Sequence, residues 1–253
     1  LSLTDGGGAG GAGGGAEGNA SGESFPEDFV FIDPVDPSRN VAAALSPERL
    51  DFFRFAAGEY IRKPKIEFFF PNEVKPWPLE KIREQLENFI GICVPRPDVI
   101  DDILYSQVRK AAGSLEAMYR NHGFNPVESA YHVNEEIMIF VNLAEKEIPE
   151  KKIHMGPPEG AQEHVKAFIS RWEGNGDTIT PPYKKDGRWW VEIKREYVDA
   201  RSLLEHGIEE MNLGKNLNEL KDKARICEDG DFVKEEHASF WTAHLSGKNP
   251  WEW

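Results

Sequence analysis

The feature that most constrains the fold is a long amphipathic segment between Asp101 and His122. Its apolar residues recur three or four positions apart, which is the spacing of one face of an α-helix. Gly123 follows directly, and glycine readily adopts the left-handed conformation that often ends a helix. The apolar positions of this face are Leu104, Val108, Ala111, Leu115 and Met118. We therefore predict a helix from about Asp101 to His122.

The segments around this helix have the composition of β-strands. One lies before it at 89–94, and two follow it at 127–133 and 136–143. Residues 189–194 alternate between apolar and polar side chains, which is typical of a half-buried strand. A second helical stripe precedes that strand and consists of Ala161, Val165, Phe168 and Trp172. The order strand-helix-strand-strand-helix-strand predicts a ferredoxin-like β-α-β-β-α-β body within an α+β fold.

Helical patterns continue beyond this body. Apolar residues at helical spacing occur over 203–211, 217–224 and 233–245. These stripes predict an additional helical tail.

The first part of the chain is organised differently. Residues 5–24 are almost entirely Gly, Ala, Ser, Asn and Glu, which cannot bury enough apolar surface to offset the entropy of ordering. We predict a flexible loop there. A short buried strand is predicted over 29–32, and a helix is predicted to begin at Ser46, which can cap it, with Pro47 in its first turn.

The sequence offers no convincing nucleophile. Only two cysteines occur, so a disulfide scaffold is excluded and a reducing, cytoplasmic location is expected. Cys93 lies in an apolar strand, where a buried structural thiol is the favoured interpretation. The seven histidines are scattered without a metal-binding spacing. His237 and His244 could share one helix face, but surface histidines explain them as well, and we expect no metal ligands.

Paired carboxylates are considered separately, because two-metal nucleotidyl transfer requires them. The Asp-x-Asp spacing of Asp229 and Asp231 suggests a polar turn. Asp33 and Asp36 flank prolines, where aspartates commonly bond backbone amides. The acids at Asp98, Asp101 and Asp102 are interpreted as helix capping. We therefore predict no catalytic residue in this chain.

Charge is distributed unevenly along the chain. The net charge is −14, yet residues 151–201 contain ten basic and eight acidic residues, which leaves +2 there and −16 elsewhere. Aromatic and basic residues alternate in this segment, a combination that suits phosphate contact and stacking on RNA. The alternative is that the tryptophans are core residues and the cations a solvated face, and composition alone favours it. The candidate RNA contacts are Lys151, Lys152, Arg171, Lys184, Lys185, Arg188, Trp190 and Lys194.

Six short motifs occur in order along the chain. They are FIDPVDPSRNVAAALS at 31–46, IEFFFP at 66–71, RPDVIDDILY at 96–105, MGPP at 155–158, GRWW at 187–190 and LGKN at 213–216. In these motifs the chain resembles the archaeal-type, class I CCA-adding tRNA nucleotidyltransferases. One such match would be weak, whereas an ordered series is specific.

The resemblance implies a function and a division of labour. Members of this family add C, C and A to the 3′ end of tRNA from CTP and ATP, without a nucleic-acid template. Their catalytic head holds the acidic ligands of Mg²⁺ and lies N-terminal to everything matched here. The chain is therefore expected to be a fragment that is inactive alone and works with the N-terminal catalytic domain of the same protein. Its expected parts are 1–45, the end of the central domain; 46–155, the body; and 156–253, the rest of the body and the tail.

One residue of the first motif has an implied role in the nucleotide site. Arg39 matches a family arginine that reaches the nucleotide pocket and positions the base or the growing 3′ end. The fixed fork of arginine donors suits such recognition. The alternative is that Arg39 pairs with Asp33 or Asp36 and holds the turn.

The resemblance also implies the RNA partner. In the family, body and tail measure the acceptor stem and the TΨC arm of tRNA, which adds Lys215 to the candidate contacts. A stand-alone RNA-binding adaptor without catalysis and an unrelated small-molecule enzyme remain alternatives. No apolar run approaches the roughly 20 residues of a membrane-spanning helix, so we expect no membrane partner. The oligomeric state is undecided, and a homodimer stays open.

Overall fold

The computed structural model describes residues 29–42, 45 and 47–253. The predicted Gly-rich loop at 5–24 and the predicted helix cap Ser46 lie outside the described residues. None of the helices in the described part of the chain is long and apolar enough to cross a membrane.

The described residues form seven α-helices and seven strands. The helices are α1 (Pro47–Arg62), α2 (Leu79–Gln85), α3 (Asp101–His122), α4 (Gln162–Trp172), α5 (Ala200–Gly207), α6 (Lys215–Asn218) and α7 (Ala238–Ser246). The strands are β1 (Phe89–Pro95), β2 (Pro126–Val133), β3 (Glu136–Leu143), β4 (Lys151–Pro158), β5 (Thr178–Lys185), β6 (Arg188–Lys194) and β7 (Arg225–Glu228). The predicted α+β class is confirmed.

The chain divides into two compact units. One contains the described residues up to Glu73 together with Asn249–Trp253, and the other is Val74–Lys248. The predicted boundary between residues 155 and 156 falls inside β4. The three-part division inferred from the sequence remains a prediction.

The first unit is built around α1. Leu50 and Trp251 are buried, and the indole of Trp251 stacks on Phe68 with ring centroids 4.6 Å apart. Phe53 and Ile61, which also belong to α1, are exposed. The strand predicted over 29–32 is wrong, because the structure forms only an isolated bridge between Ile32 and Asn40 there.

The second unit contains an antiparallel sheet in the order β2-β3-β1-β7. Alternate residues of a strand point to opposite faces, and both faces of this sheet are covered. One face packs against α3 and α5, as in the contact of Ile92 with the cluster around Leu115 and Leu204. The opposite face packs against α2 and α7, with Phe140 beside Trp241. Burial on both faces explains the almost continuously apolar sequences of β1 and β3.

The ferredoxin-like order is present, but two of its elements differ from the prediction. The sheet follows β1-α3-β2-β3-α5-β7. The second helix is α5 instead of the predicted 161–172, and the last strand is β7 instead of the predicted 189–194. The predicted segments belong to a separate three-stranded sheet in the order β4-β6-β5, with α4 packed on it.

Local sequence explains these corrections. β7 has only four residues and lies directly after a predicted helical stripe. β4 and β5 both contain adjacent prolines, which count against a strand except at a sheet edge. Both lie at the edges of their sheet, with β6 between them.

The prediction of a buried structural thiol is confirmed for Cys93. Its Sγ lies 2.9 Å from Sγ of Cys227, and both side chains are buried as free thiols. The contact with Cys227 and burial raise the pKa of Cys93, so this thiol remains protonated and unreactive.

Candidate nucleic-acid interface

The three-stranded sheet has two chemically different faces. On β6, Trp189, Val191 and Ile193 point towards α4, where Val191 packs with Phe168 and Trp172. The alternate residues of β6 point the other way, because side chains alternate along a strand. We call the side that carries α4 the helical face and the other side the open face.

Pairing across the strands identifies the remaining residues of the open face. Directly opposed residues of an antiparallel pair lie on the same face. The open face therefore consists of Lys151, Ile153 and Met155 from β4, Thr180, Tyr183 and Lys185 from β5, and Arg188, Trp190, Glu192 and Lys194 from β6. Ile153 is 58% exposed and Met155 is 55% exposed. These apolar side chains are accessible to a partner.

The centre of the open face is an apolar row that crosses all three strands. Trp190 pairs with Met155 on one side and with Tyr183 on the other. The indole Nε1 of Trp190 donates a hydrogen bond of 3.0 Å to the carbonyl of Lys185. This bond fixes one edge of the indole, so that the row is a preformed surface for stacking or ribose contact.

Cations lie at both ends of the open face, on either side of this row. Lys151 and Lys194 are opposed at one end, and Lys185 and Arg188 are opposed at the other. Arg188 and Lys194 are six positions apart on β6, a span of roughly 20 Å at about 3.3 Å per residue. The open face thus offers two separated positive ends.

The two ends differ in their electrostatic surroundings. Lys151 Nζ lies 2.5 Å from Glu192 Oε2, and Lys194 Nζ lies 3.0 Å from Glu150 Oε1. Lys151 and Thr180 donate hydrogen bonds that lower the pKa of Glu192, and the contact with Glu150 raises the pKa of Lys194. Glu192 and Lys194 therefore stay ionised, and the neighbouring carboxylates offset part of the positive charge at this end of the open face.

The opposite end has no such neutralisation. Arg188 Nη1 donates to the carbonyl of Gly156 at 3.3 Å. Within the described residues, neither Lys185 nor Arg188 has a carboxylate within 4.0 Å. Their charge is available to an external anion.

Three of the predicted contacts lie on the helical face or on α4. Lys152 is opposed to Ile193, so it shares the face of the core residues. Lys184 Nζ lies 5.3 Å from the ring centroid of Trp189, and the Arg171 guanidinium lies 5.1 Å from the ring centroid of Trp172. The predicted contacts therefore divide between two faces and do not form one continuous surface.

The helical face has a shallow recess of its own. It lies between β4 and α4, has a volume of 350 Å³, and includes His154, Arg171 and Trp172 in its lining. Burial and the nearby cations Lys152 and Arg171 lower the pKa of His154. The neutral form of this histidine is thus favoured.

The two remaining predicted residues lie elsewhere. Lys215 is the exposed first residue of α6, which packs on α3. Arg39 lies in the turn of the first unit, where its Nη1 is 3.9 Å from Asp33 Oδ2 and its side chain is 69% exposed. The long contact to Asp33 leaves most of the guanidinium accessible, and the nucleotide role of Arg39 stays a prediction.

The turn around Arg39 is stabilised as predicted. Asp33 Oδ1 accepts a hydrogen bond from the amide of Val35 at 2.9 Å, and Asp36 Oδ1 accepts one from the amide of Ser38 at 3.1 Å. The hydrogen bonds from Ser38 lower the pKa of Asp36. These carboxylates are occupied by the backbone of their own turn.

The Asp-x-Asp segment is also a turn, as predicted. It forms a short 3-10 helix, in which Asp229 Oδ1 accepts a hydrogen bond from the amide of Phe89 at 2.9 Å and Asp231 Oδ2 accepts one from the amide of Glu228 at 3.1 Å. Lys146 Nζ lies 2.5 Å from the other oxygen of Asp229. Both carboxylates thus stabilise the backbone and its neighbours.

Two other expectations about polar residues need correction. Ile100 is the N-cap of α3, so none of the three aspartates occupies that position; Asp101 and Asp102 lie in the first turn, where negative charge favours a helix N-terminus, and Asp101 also lies 2.5 Å from Arg96. His237 is not on the surface, because its side chain is completely buried. His244 is mostly buried as well and lies 3.3 Å from Glu128.

The apolar residues that β4 contributes to the open face were not predicted from the sequence. Ile153 and Met155 were not among the predicted contacts, because β4 was not recognised as a strand. Alternation of Lys151, Ile153 and Met155 with their neighbours was the available signal. The adjacent prolines at the end of the strand obscured it.

Comparisons with known proteins identify two matching families. Residues 87–229 match the family described as "CCA-adding enzyme, C-terminal domain", and residues 15–70 match "tRNA nucleotidyltransferase, second domain". The first match spans most of the second unit, including both sheets.

Similar curated proteins are archaeal CCA-adding enzymes. The chain is 31% identical to that of Methanosarcina acetivorans over 220 residues, covering 81% of this chain and 48% of the relative. It is 32% identical to that of Picrophilus torridus over 202 residues, covering 80% and 46% respectively. With the enzyme of Thermococcus kodakarensis it shares 32% identity, covering 79% and 43%. The chain spans about half the length of the curated relatives it matches.

Proposed function

Because the chain belongs to the CCA-adding enzyme family, we propose that it is the part of such an enzyme that holds tRNA during CCA addition. The complete enzyme adds C, C and A to the tRNA 3′ end from CTP and ATP. The observation that carries the proposal is the open face, where the row Met155–Trp190–Tyr183 lies between two pairs of cations.

The open face suits contact with the acceptor stem and TΨC arm. Double-stranded A-form RNA is recognised mainly through its phosphates and 2′-hydroxyls, since its base edges lie in a deep, narrow groove. Lys185 and Arg188 would contact phosphates at one end, and Lys151 and Lys194 at the other. The aromatic row would contact ribose or an unstacked base between them.

Catalysis belongs to another part of the protein in this proposal. The carboxylates of Asp229 and Asp231 are occupied by backbone amides, and the family match is to a C-terminal domain. The acidic ligands of Mg²⁺ would therefore be supplied by an N-terminal catalytic domain. Exposed apolar side chains of the first unit, including Phe53, Ile61 and Phe70, offer a surface on which that domain could pack.

Arg39 would contribute to the nucleotide site from within this chain. Its turn is held by the carboxylates of Asp33 and Asp36, and its guanidinium is exposed. A fixed fork of donors on a stable turn suits recognition of the edge of the incoming base or of a phosphate near the growing 3′ end. A cytoplasmic location is part of the proposal and is supported by the presence of only two cysteines.

The test of the RNA surface is substitution of Trp190. Binding of tRNA lacking CCA is measured for Trp190→Ala and Trp190→Phe, with circular dichroism as the control for folding. Stacking on one aromatic ring contributes about 1–3 kcal/mol, so Trp190→Ala should weaken binding by about 5- to 150-fold. Trp190→Phe should retain most of the affinity. Unchanged binding by Trp190→Ala would overturn the assignment.

The division of labour is tested by reconstitution. This chain is mixed with a separately expressed catalytic domain of a relative, tRNA lacking CCA, CTP, ATP and Mg²⁺. Nucleotide addition is expected only when both proteins are present. Addition by this chain alone would contradict the assignment of catalysis to the other domain. Tight tRNA binding without any addition in the mixture would favour the adaptor alternative.

A further inference from the structure

His237 is a buried histidine whose ring nitrogens form no hydrogen bond with the described part of the chain. It belongs to a short 3-10 helix, Glu235–His237, directly before α7, and its side chain has no exposed surface. Neither Nδ1 nor Nε2 forms a hydrogen bond with any described residue. Buried polar atoms almost always form hydrogen bonds, because leaving one unpaired forfeits its hydration without compensation. An unsatisfied imidazole therefore calls for a specific partner.

Two carboxylates face the Nε2 atom of this histidine. Nε2 lies 3.4 Å from Oε1 of Glu236 and 3.7 Å from Oε2 of Glu136. Glu136 begins β3, so the cluster joins segments that are far apart in the chain. One ligand atom from each of the three residues lies within 4.8 Å of the others.

These separations match the edges of a metal coordination tetrahedron. Zn²⁺ binds histidine nitrogen and carboxylate oxygen at about 2.0–2.2 Å. Ligand atoms around such an ion are about 3.3–3.6 Å apart for tetrahedral angles and those bond lengths. The distances from Nε2 to Glu236 and Glu136 are close to this range, while both contacts lack hydrogen-bond geometry.

We propose that Glu136, Glu236 and His237 bind a divalent transition-metal ion of the zinc type, with water in the remaining position. One imidazole and two carboxylates suit such an ion, whereas Mg²⁺ and Ca²⁺ prefer sites made of oxygen ligands. Other groups of three metal-ligating side chains with this proximity are not found within the part of the chain that the structure describes.

Lys234 competes directly for the same oxygens. Its Nζ lies 2.5 Å from Oε2 of Glu136 and 3.9 Å from Oε1 of Glu236, and Arg225 Nη2 lies 3.5 Å from the other oxygen of Glu136. The Lys234 side chain is 39% exposed, so its ammonium can move into solvent when an ion binds. A bound metal ion would therefore replace the Lys234 ammonium at these oxygens. The positive charge of Arg225 would weaken metal binding by repulsion.

The consequence of metal binding is structural. The ion would connect the first residue of β3 to the segment that enters α7. That helix places Trp241 against Phe140 and covers the second face of the central sheet. A metal that binds only the folded arrangement stabilises it by an amount that rises with the logarithm of the metal concentration once the site is largely occupied.

The experiment measures binding of Zn²⁺ to this chain by competition with a chromogenic chelator, and of Co²⁺ by visible absorption. One equivalent of metal is expected for the unmodified chain. His237→Gln and Glu236→Gln should weaken binding by at least about 10- to 100-fold, which is the loss seen when partners outside the ligand shell are removed. Lys234→Met should tighten binding, because the competing ammonium is gone.

The matched control is His206→Gln, which removes an exposed histidine of α5 that already bonds the Ser202 carbonyl. Its affinity for metal should equal that of the unmodified chain. Equal weakening by His206→Gln, no binding by the unmodified chain, or weaker binding by Lys234→Met would each overturn the proposal. If His237→Gln fails to fold, Glu236→Gln decides the matter, because Glu236 is 52% exposed and its substitution leaves the core intact.

Discussion

Salt dependence of tRNA binding separates the two charged ends of the open face. The perturbations are two double variants, Lys185→Ala with Arg188→Ala, and Lys151→Ala with Lys194→Ala. Each removes two cations from one end of the open face. Each double variant removes two positive charges, and the two pairs differ in whether carboxylates lie nearby. Each variant therefore serves as the control for the other.

The expected magnitudes follow from those neighbours. Each phosphate contact contributes about 0.7–0.9 to the slope of log K against log salt. Lys185 and Arg188 have no carboxylate within 4.0 Å among the described residues, so their loss should reduce the slope by roughly 1.4–1.8. Lys151 and Lys194 lie 2.5 Å and 3.0 Å from carboxylates. Their removal should reduce the slope by less than half as much, because those charges are already partly neutralised.

The assay is fluorescence anisotropy of labelled tRNA lacking CCA, titrated between about 50 and 200 mM salt. A control variant, Lys110→Ala with Lys223→Ala, removes two exposed cations outside the three-stranded sheet. Its slope should equal that of the unmodified chain. An equal reduction in all three variants would refute the reasoning, since binding would then depend on total charge and not on the open face.

Three further substitutions test other parts of the structure. Phe140→Ala removes a fully buried ring packed against Trp241 at 4.9 Å between centroids, and it should lower the free energy of unfolding by about 3–5 kcal/mol; a loss below 1 kcal/mol in urea denaturation would contradict this core. Asp199→Ala removes the side chain that accepts the Ser202 amide at 2.8 Å and should cost about 1 kcal/mol, whereas the exposed Asp98→Ala should be nearly neutral. In the complete enzyme, Arg39→Ala should impair nucleotide addition more than tRNA binding, and an equal loss of both would contradict its proposed role.

Periodic segments were predictable because their pattern depends only on local spacing. α3 spans Asp101–His122 as predicted and ends at Gly123, whose φ of 92° lies in the left-handed region. β3 also has the predicted bounds of Glu136–Leu143. Both elements are long and strongly patterned, so that tertiary packing reinforces the local preference.

Elements that depend on distant partners were not predictable in the same way. β7 is a four-residue strand that exists because β1 offers it a free edge. β4 and β5 tolerate their prolines because each lies at a sheet edge. Neither the free edge of β1 nor the edge positions of β4 and β5 can be read from the local sequence.

The candidate interface shows the same limit. Composition located the basic and aromatic residues of 151–201, but strand register decides that Trp190 and Arg188 share a face while Lys184 and Arg171 do not. Burial of His237 likewise depends on neighbours such as Glu136, about a hundred positions away in sequence. Register and long-range packing are properties of the folded chain.

Ultraviolet cross-linking of bound tRNA, followed by mass spectrometry of the peptides, tests the central claim most directly. We predict that cross-links will concentrate on Met155, Tyr183 and Trp190 of the open face. Cross-links confined to Arg171 and Trp172 on the opposite side, or to residues outside 151–194, would contradict it.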